Sequence, residues 1–247
     1  MNDTNHGNAD HGDTVFRHAL YGGVTPPTAL RKQDWAYEQM REWIIVGELA
    51  PGRVVEQEAL ASRLGISRIP LREALARLTA EGLLSGRPHQ KMSVSLLTIA
   101  DARDVYTGRE ALESRLAAGA AEAATPEGLA RIGVVLDRQS EMLGRGAPDD
   151  FRRLDHEFHH TVYEMAGLPK TLAAAASLFA MSQRYVRLYL SGRGRSSASF
   201  HEHSAILEAI RAGDGGLAAA LTREHVMRGL ASLEVTFASA PPPDPRP

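Results

Sequence analysis

The sequence has 247 residues, 43% of them hydrophobic and 23% charged, which is enough to bury a core and fits one large domain or two ordinary ones. Its 28 Lys and Arg residues against 30 Asp and Glu leave a formal net charge of −2, so composition excludes a general polyanion binder and any basic surface must be local. The absence of cysteine excludes disulfides, Cys-ligated zinc, iron–sulfur clusters and Cys nucleophiles.

Neither the ends nor the middle of the chain predict a membrane segment. No uncharged apolar run approaches the roughly 18 residues that a membrane-spanning helix needs. The first residues, MNDTNHGNADHGDTVFRHAL, are polar and acidic, whereas a secretory signal combines basic residues with an apolar stretch. We therefore expect a cytoplasmic protein with a disordered tail at residues 1–30 and a proline-rich tail at 238–247.

Residues 31–96 have the pattern of three helices followed by a hairpin. The segment WAYEQMREWIIVGEL has apolar residues at helical spacing and stops at a proline–glycine terminator. A short second helix over about 56–64 ends at Gly65, and Ser67 then offers an N-cap hydroxyl to a third helix. Turn residues next separate two short stretches of strand propensity. This order predicts a winged helix-turn-helix domain.

Basic residues concentrate at the third predicted helix and the hairpin. Residues 63–91 hold six basic residues against only Glu73 and Glu81. The basic residues are Arg63, Arg68, Arg72, Arg77, Arg87 and Lys91. Arg68 and Arg72 are four positions apart, so they share a face at the start of the third helix, where a recognition helix contacts DNA. The alternative is an ordinary solvated face in which the two glutamates pair with neighbouring arginines.

The rest of the chain predicts one helix after another. Thr98 is placed to cap the first of them, Thr125 precedes the second, and clusters of glycine, proline and serine separate the others. About six helices with short connections predict an antiparallel α-helical bundle. We therefore predict a mainly α protein in which a winged helix-turn-helix domain at 31–96 is followed by an all-helical domain at 97–237.

Six of the ten histidines fall in the predicted bundle, together with Asp155. Asp155 and His159 are four positions apart and project from one helical face, a spacing that lets one helix hold an ion with two ligands. His203 and His225 lie eleven residues on either side of Asp214, so an antiparallel hairpin brings them level. Three His nitrogens and one Asp oxygen suit a divalent metal, with zinc preferred and nickel, manganese or iron as alternatives. The competing interpretation is accidental spacing of structural histidines.

Two arginines are candidates for holding a ligand beside such an ion. Arg109 lies mid-helix in VYTGREALE, flanked by positions that should be apolar and inward. A guanidinium near a metal would suit a small carboxylate, which the two could hold together. The alternative for Arg109 is an intrahelical pair with Glu113. Arg184 in SQRYVRLYL is a further candidate. The remaining bundle histidines, one helical step away, are expected to support the ligands or to face solvent.

The same Asp and His residues allow an enzyme interpretation, a metal-dependent hydrolase or oxygenase in which a metal-bound water is the nucleophile. The sequence contains no nucleophile elbow, phosphate loop, Rossmann glycine pattern or HExxH helix. The enzyme interpretation also leaves the basic helix-turn-helix unexplained. We therefore expect that the protein is not an enzyme.

The string PGRVVEQEALASRLGISRIPLREALARLTAEGLL resembles the DNA-binding region of GntR-type bacterial transcription regulators. The segments VYTGREALESRLAA, DHEFHHTVYEMAG and HSAILEAIRAGDGGLAAALTREH are similar to the all-helical FCD domain of the subfamily typified by the fatty-acid regulator. The resemblance covers about residues 35–235. It implies a homodimer that binds a palindromic DNA operator and whose operator affinity is controlled by a small, generally acidic metabolite bound to the helical domain.

The resemblance also implies roles for individual residues. By the resemblance, the metal ligands are Asp155, His159, His203 and His225. It gives Arg109 a part in holding the carboxylate of the effector. It places DNA contacts at Ser67, Arg68 and Arg72. In the wing we predict further contacts from His89 and Lys91, although the tip reads Pro88-His89-Gln90-Lys91 and departs from the family pattern, which generally has a glycine there after a basic residue. Ile69 departs from the family pattern, which generally has a small polar residue at this position, and the departure would change a phosphate contact.

Overall fold

A computed structural model of the protein describes residues 31–86, 91–145, 148–190 and 195–239. Within these ranges the chain divides between Leu96 and Leu97 into two compact units. Helices dominate both units, and one two-stranded hairpin is the only sheet in the described ranges, which confirms the predicted mainly α fold class. Among the described helices, none combines the length and the apolar composition that crossing a membrane requires.

The first unit has three helices and a short hairpin, in the order predicted for a winged helix-turn-helix. Helices α1, α2 and α3 and strands β1 and β2 span Lys32–Ile45, Gln57–Leu64, Arg68–Ala80, Leu84–Ser85 and Ser93–Val94. The two strands pair antiparallel, with Leu84 opposite Val94. Apolar side chains from all three helices and the hairpin form one core that includes Trp35, Met40, Leu64, Leu71, Leu75 and Leu78.

Gly65 makes the tight turn between α2 and α3. Its φ of +61° lies in the left-handed region, where a residue with a Cβ atom is strained. The backbone N–H of Gly65 donates to the carbonyl of Ser62, and the N–H of Ile66 donates to that of Ala61. Ser67 follows at the N-cap position of α3 in an extended conformation, but within the described chain its hydroxyl makes no capping hydrogen bond, so the predicted cap is wrong in this respect.

Six helices make up the described part of the second unit, as the sequence predicts. Helices α4 to α9 span Ile99–Glu122, Pro126–Arg145, Pro148–Glu164, Pro169–Leu190, Arg195–Arg211 and Gly215–Ser239. Thr98, Thr125 and Asp214 each accept a hydrogen bond from the backbone N–H three residues later, at 3.1, 3.1 and 2.8 Å. These side chains therefore satisfy orphan N–H groups at the starts of α4, α5 and α9.

A polar layer separates two apolar clusters of the bundle. Helix α4 packs mainly on α9 and α7, α5 packs on α6, and α8 packs on α9. One apolar cluster includes Leu116, Phe158, Val162, Ile206 and Ile210. The other includes Tyr106, Tyr185, Val226 and Leu233. Along α4 and α9, the buried positions between the two clusters are polar or ionisable: Arg109, Glu113, Thr222 and His225.

Replacing Gly65 with alanine should destabilise the first unit by about 1 kcal/mol, because alanine in a left-handed conformation is strained. No other atom lies within 4 Å of the added Cβ, so the cost comes from the backbone alone. Gly133 in α5 is the matched control, since its Cβ would also meet nothing within 4 Å while its backbone is helical. Gly133→Ala should leave stability unchanged or raise it. Thermal unfolding followed by circular dichroism measures both variants, and an unchanged Tm for Gly65→Ala would contradict the prediction.

Candidate functional site

Four side chains of metal-ligating type meet in the polar layer of the second unit. Asp155 and His159 come from α6, His203 from α8 and His225 from α9. One ligand atom from each lies within 4.8 Å of the other three. All four side chains are buried, and His203 is buried completely. The structure therefore brings together the four residues that the sequence analysis selected as metal ligands.

The imidazoles turn the same nitrogen, Nε2, toward the centre of this cluster. Nε2 of His159 lies 3.1 Å from Nε2 of His225, and Nε2 of His203 lies 3.5 Å from Oδ1 of Asp155. Ligand atoms around a tetrahedral zinc ion with bonds of 2.0–2.1 Å are about 3.3 Å apart, so both separations fit such an ion. The buried Nε2 of His203 has no hydrogen-bond partner among the described residues. A cation at the centre would give it one.

Each imidazole is held from its other side by a partner at Nδ1. His203 donates to Oε1 of Gln139 at 2.9 Å, and His225 donates to Oε2 of Glu202 at 2.7 Å. Nδ1 of His159 lies 2.9 Å from the hydroxyl oxygen of Tyr163. Because these partners place the ring proton on Nδ1, each Nε2 keeps the lone pair that a metal ion requires.

A buried chain of hydrogen bonds from α4 supports His159. The hydroxyl of Tyr163 donates to Oε2 of Glu113 at 2.7 Å, so its oxygen is the acceptor for His159. Nε of Arg109 donates to Oε1 of Glu113 at 2.6 Å. Both members of this ion pair are buried, and the Arg109 guanidinium also lies 4.6 Å from the ring centre of Phe179. The intrahelical Arg109–Glu113 pair considered from the sequence is thus present, and it connects Arg109 to a candidate metal ligand.

Glu202 supports His225 and is itself held by two arginines. Arg195 donates to both of its carboxylate oxygens, at 2.9 and 3.0 Å, and Arg228 donates to Oε1 at 3.1 Å. Burial raises the pKa of Glu202, but the hydrogen bonds from His225 and Arg195 lower it by more, so the carboxylate stays ionised. A cavity of about 370 Å³ lies beside this network, lined in part by His201, Leu221 and Glu224.

Burial shifts the protonation of the ligands toward their neutral forms. It lowers the pKa of His159 and of His203 well below the usual histidine value, and the nearby His225 lowers both further. Burial also raises the pKa of Asp155, against smaller opposing effects of His225 and Arg109. Neutral imidazoles are the form that binds metal, and a divalent ion at the centre would return Asp155 to its ionised form. A divalent cation therefore suits the electrostatics of the cluster better than protonation of its imidazoles does.

The supporting residues were the part of the site that the sequence analysis missed. The Nδ1 partners are Gln139, Tyr163 and Glu202, whereas His156 stacks on Phe179 and the other two candidates, His160 and His201, are exposed. Only Tyr163, four positions after His159, shares a helical face with the residue that it supports. Gln139 and Glu202 reach their histidines from other helices, so no spacing in the sequence indicates them.

The second arginine predicted to bind a ligand, Arg184, is buried on α7. Burial lowers its pKa. The second unit thus has two buried arginines, Arg109 and Arg184, and Arg109 is the one that the hydrogen bonds described above connect to the candidate metal cluster.

Four of the five residues predicted to contact DNA are described, and all four are exposed on the first unit. Ser67, Arg68 and Arg72 lie at the start of α3 and Lys91 precedes β2, while His89 lies outside the described residues. Arg68 pairs with Glu58 at 2.5 Å, and the two side chains are 64% and 85% exposed. Such an exposed pair contributes little stability, so phosphate oxygens can replace the glutamate at low cost.

Two protein-family models match the chain. The FCD domain matches residues 104–228, which contain the whole candidate metal cluster. The gntR family of bacterial regulatory proteins matches residues 32–94, which contain the described helices and strands of the first unit.

Two related sequences and one solved structure agree with these matches. The chain is 28% identical over 209 residues to an uncharacterized HTH-type transcriptional regulator in an unstable DNA locus of Streptomyces ambofaciens, covering 83% of this chain and 86% of that protein. It is 25% identical over 190 residues to the HTH-type transcriptional repressor RspR of Escherichia coli, covering 77% and 83%. Its fold is similar to that of Escherichia coli McbR/YncC, with a TM-score of 0.75 at 21% identity over 84% of this chain and 99% of that one.

Glu202→Gln should weaken Zn²⁺ binding by about 10- to 100-fold, because the amide lacks the charge that orients His225 and that Arg195 balances. Glu208→Gln is the matched control on the same helix, since the Glu208 side chain is 68% exposed. Competition with a chromophoric chelator gives both Kd values. Equal Kd values for the two variants would contradict a supporting role for Glu202.

Proposed function

The chain belongs to the GntR family of bacterial regulatory proteins and has an FCD domain as its second unit, and from this premise we propose that a small carboxylate bound beside a divalent metal ion controls its affinity for operator DNA. Its relatives are transcription regulators, so the protein is a regulator and not an enzyme. The hydrolase or oxygenase interpretation of the Asp and His cluster receives no support from these matches.

The observation that carries the metal site is the common orientation of three imidazoles. Their Nδ1 atoms are held by Tyr163, Gln139 and Glu202, and Nε2 of the three rings and Asp155 share one buried centre. Outward hydrogen bonds that fix the tautomer of each ring are typical of metal-ligating histidines. Accidental spacing of structural histidines does not explain why all three rings expose the same nitrogen to the same point.

Zinc is the ion that we propose for this site. Three imidazole nitrogens and one carboxylate oxygen are donors that zinc accepts, and nickel, manganese and iron accept them as well. When bound, the ion would supply positive charge, and its expansion from four ligands to five would give a coordination position to an anionic oxygen. The residues of the chain hold the ion, exclude water and keep the ring protons on Nδ1.

The charges in the polar layer favour an anionic effector. The charges of Arg109 and Glu113 cancel, and so do those of Arg195 and Glu202. A divalent ion with an ionised Asp155 and three neutral imidazoles adds one net positive charge to these balanced pairs. A single buried charge is unfavourable unless it is paired, and one carboxylate would pair with it. We therefore assign the effector to the small carboxylates.

Arg109 and Arg184 are the proposed effector-binding residues. Arg109 connects to the metal ligands through Glu113 and Tyr163, and its charge lowers the pKa of Asp155 although burial, the largest effect, raises it. An effector carboxylate would compete with Glu113 for the guanidinium, because both accept the same N–H groups. Effector binding would then change the hydrogen bonds that reach His159.

In the first unit we propose that α3 and the wing contact the operator. The contacting residues are Ser67, Arg68, Arg72, His89 and Lys91. The first turn of α3 contains no acidic residue, so its positive helix end and its two arginines favour phosphate oxygens and guanine edges. In a homodimer, two such helices would read the two halves of a palindrome.

Control of operator affinity requires that the effector prefer one of two conformations. The polar layer includes residues of α4, α6, α8 and α9, so a ligand that binds there acts on four helices of the bundle. A tenfold change in operator affinity requires a coupling free energy of about 1.4 kcal/mol between the two sites. One charge-assisted hydrogen bond made in only one conformation is of this size.

Single substitutions should separate the two activities. Arg68→Ala should weaken operator binding by about 5- to 150-fold, because it removes a contact to bases or phosphates, while metal content stays at the wild-type level. His203→Ala should lose the metal and retain DNA binding. Arg131→Ala, which removes an exposed arginine from α5, is the charge-matched control. Fluorescence anisotropy with an operator selected from random DNA by the wild-type protein measures DNA binding, and elemental analysis measures metal content. Loss of both properties in either folded variant would contradict the division of roles.

Small carboxylates should stabilise the Zn²⁺-loaded protein through Arg109. With acetate, lactate and benzoate as probes, at least one should raise the Tm, since ligand at 100 times its Kd adds about 2.7 kcal/mol. The double variant Arg109→Gln/Glu113→Gln removes both members of a buried ion pair, so it creates no new unpaired charge, and it should lose this response. Arg115→Gln/Glu122→Gln removes an exposed pair from the same helix and should keep it. Thermal unfolding measures all three proteins. The proposal fails if no probe raises the wild-type Tm or if the Arg109 double variant responds like the wild type.

A further inference from the structure

An isoleucine is exposed at the start of the helix that we assign to DNA contact. Ile69 is the second residue of α3 and follows Arg68 directly. Its side chain is 71% exposed, more than any other large apolar side chain in the described part of the chain. An exposed isoleucine gains no burial free energy in the fold, so the folding of this unit does not explain the residue.

Helical geometry places Ile69 on the side of α3 that faces away from the core. Leu71, Leu75 and Leu78 are completely buried on the inner side of the helix. At 100° per residue, Ile69 and Ala76 project from the opposite side. Both are exposed. Glu73 lies between them on this side and is also exposed, so Ile69 is an isolated large apolar side chain on the outer surface of the helix.

Two arginines lie close to Ile69 on the exposed surface of the helix. Arg72 lies one turn after Ile69 and is exposed, and the Arg68 side chain is 64% exposed. A guanidinium reads guanine edges and phosphate oxygens, but an isoleucine has no donor or acceptor for either. The matching feature of the major groove is the C5-methyl group of thymine, which proteins recognise by apolar contact. The mixture of side chains on this face thus matches a groove that presents both kinds of group.

We propose that Ile69 is a specificity-determining residue that packs against the C5-methyl group of one thymine in each operator half-site. The inference rests on the proposed role of α3 as the DNA-contacting helix and adds to it the identity of one base pair. Burial of one methyl group contributes about fourfold in affinity. Ile69 therefore selects a T·A pair at its position, whereas Arg68 and Arg72 supply most of the affinity.

Deoxyuridine isolates the methyl group, because it keeps every hydrogen-bonding atom of thymine and lacks only that methyl. The test begins with an operator selected from random DNA by the full-length protein. Each thymine is then replaced by deoxyuridine, one symmetric pair at a time, and Kd is measured by fluorescence anisotropy at fixed salt. We expect wild-type affinity to fall about fourfold per half-site contact at one thymine pair.

Two variants connect that thymine to Ile69. Ile69→Val keeps a branched apolar side chain and should keep the sensitivity to deoxyuridine. Ile69→Ser removes the apolar contact, so thymine and deoxyuridine at that position should bind equally. Both substitutions are on the exposed surface of the helix, where effects on folding are small, and circular dichroism verifies that each variant is folded.

The outcomes separate this inference from the proposal on which it rests. Sequence-specific binding in which no thymine is sensitive to deoxyuridine, or in which Ile69→Ser is as sensitive as the wild type, overturns the role of Ile69 and leaves the regulator intact. A selected operator without thymine opposite α3 would likewise overturn the role of Ile69 and leave the regulator intact. A wild-type protein that selects no sequence overturns both.

Discussion

Imidazoles and carboxylates buried at one level of a helical bundle destabilise the fold unless each polar atom has a partner. This constraint dominates the second unit. Asp155, His159, His203 and His225 all lie in the interior, and their outer atoms are satisfied by side chains from neighbouring helices. Their inner atoms face one another, an arrangement that is favourable only around a positive charge. The bundle is therefore organised around a buried polar cluster that could hold a cation as much as around its apolar core.

The constraint extends outward from the ligands, because each supporting group is itself partly buried. Burial of the Glu113 carboxylate is compensated by hydrogen bonds from Arg109 and Tyr163. Burial of the Glu202 carboxylate is compensated in the same way by hydrogen bonds from Arg195. Apolar clusters on either side of the layer supply most of the hydrophobic stabilisation. The hydrogen bonds of the polar layer fix the helices relative to one another, because a shifted helix would leave charged groups unpaired.

The two units differ in how substitutions at their candidate functional residues would affect folding. The candidate metal cluster is interior, so changes to it would affect the stability of the bundle as well as the proposed binding of a metal. The residues at the start of α3 are on the surface, where most substitutions change folding by less than about 0.5 kcal/mol. Ile69 and Arg68 can therefore vary while the leucines on the inner side of α3 maintain the fold. With the proposed role of α3 in DNA contact, this separation would allow one scaffold to read different DNA sequences.

Short-range physics made the elements and the ligand set predictable. Left-handed Gly65, the caps at Thr98 and Thr125, and the spacing of His203 and His225 about a turn all depend on residues close in sequence or on the regular rise of a helix. The sequence by itself thus determined a winged helix-turn-helix, a six-helix bundle and four candidate ligands. Only the tertiary structure decided that Gln139 and Glu202 hold two of the histidines, and that Arg109 reaches a third through Glu113 and Tyr163. These contacts depend on how each helix is rotated against its neighbours, and packing between residues far apart in the chain sets that rotation.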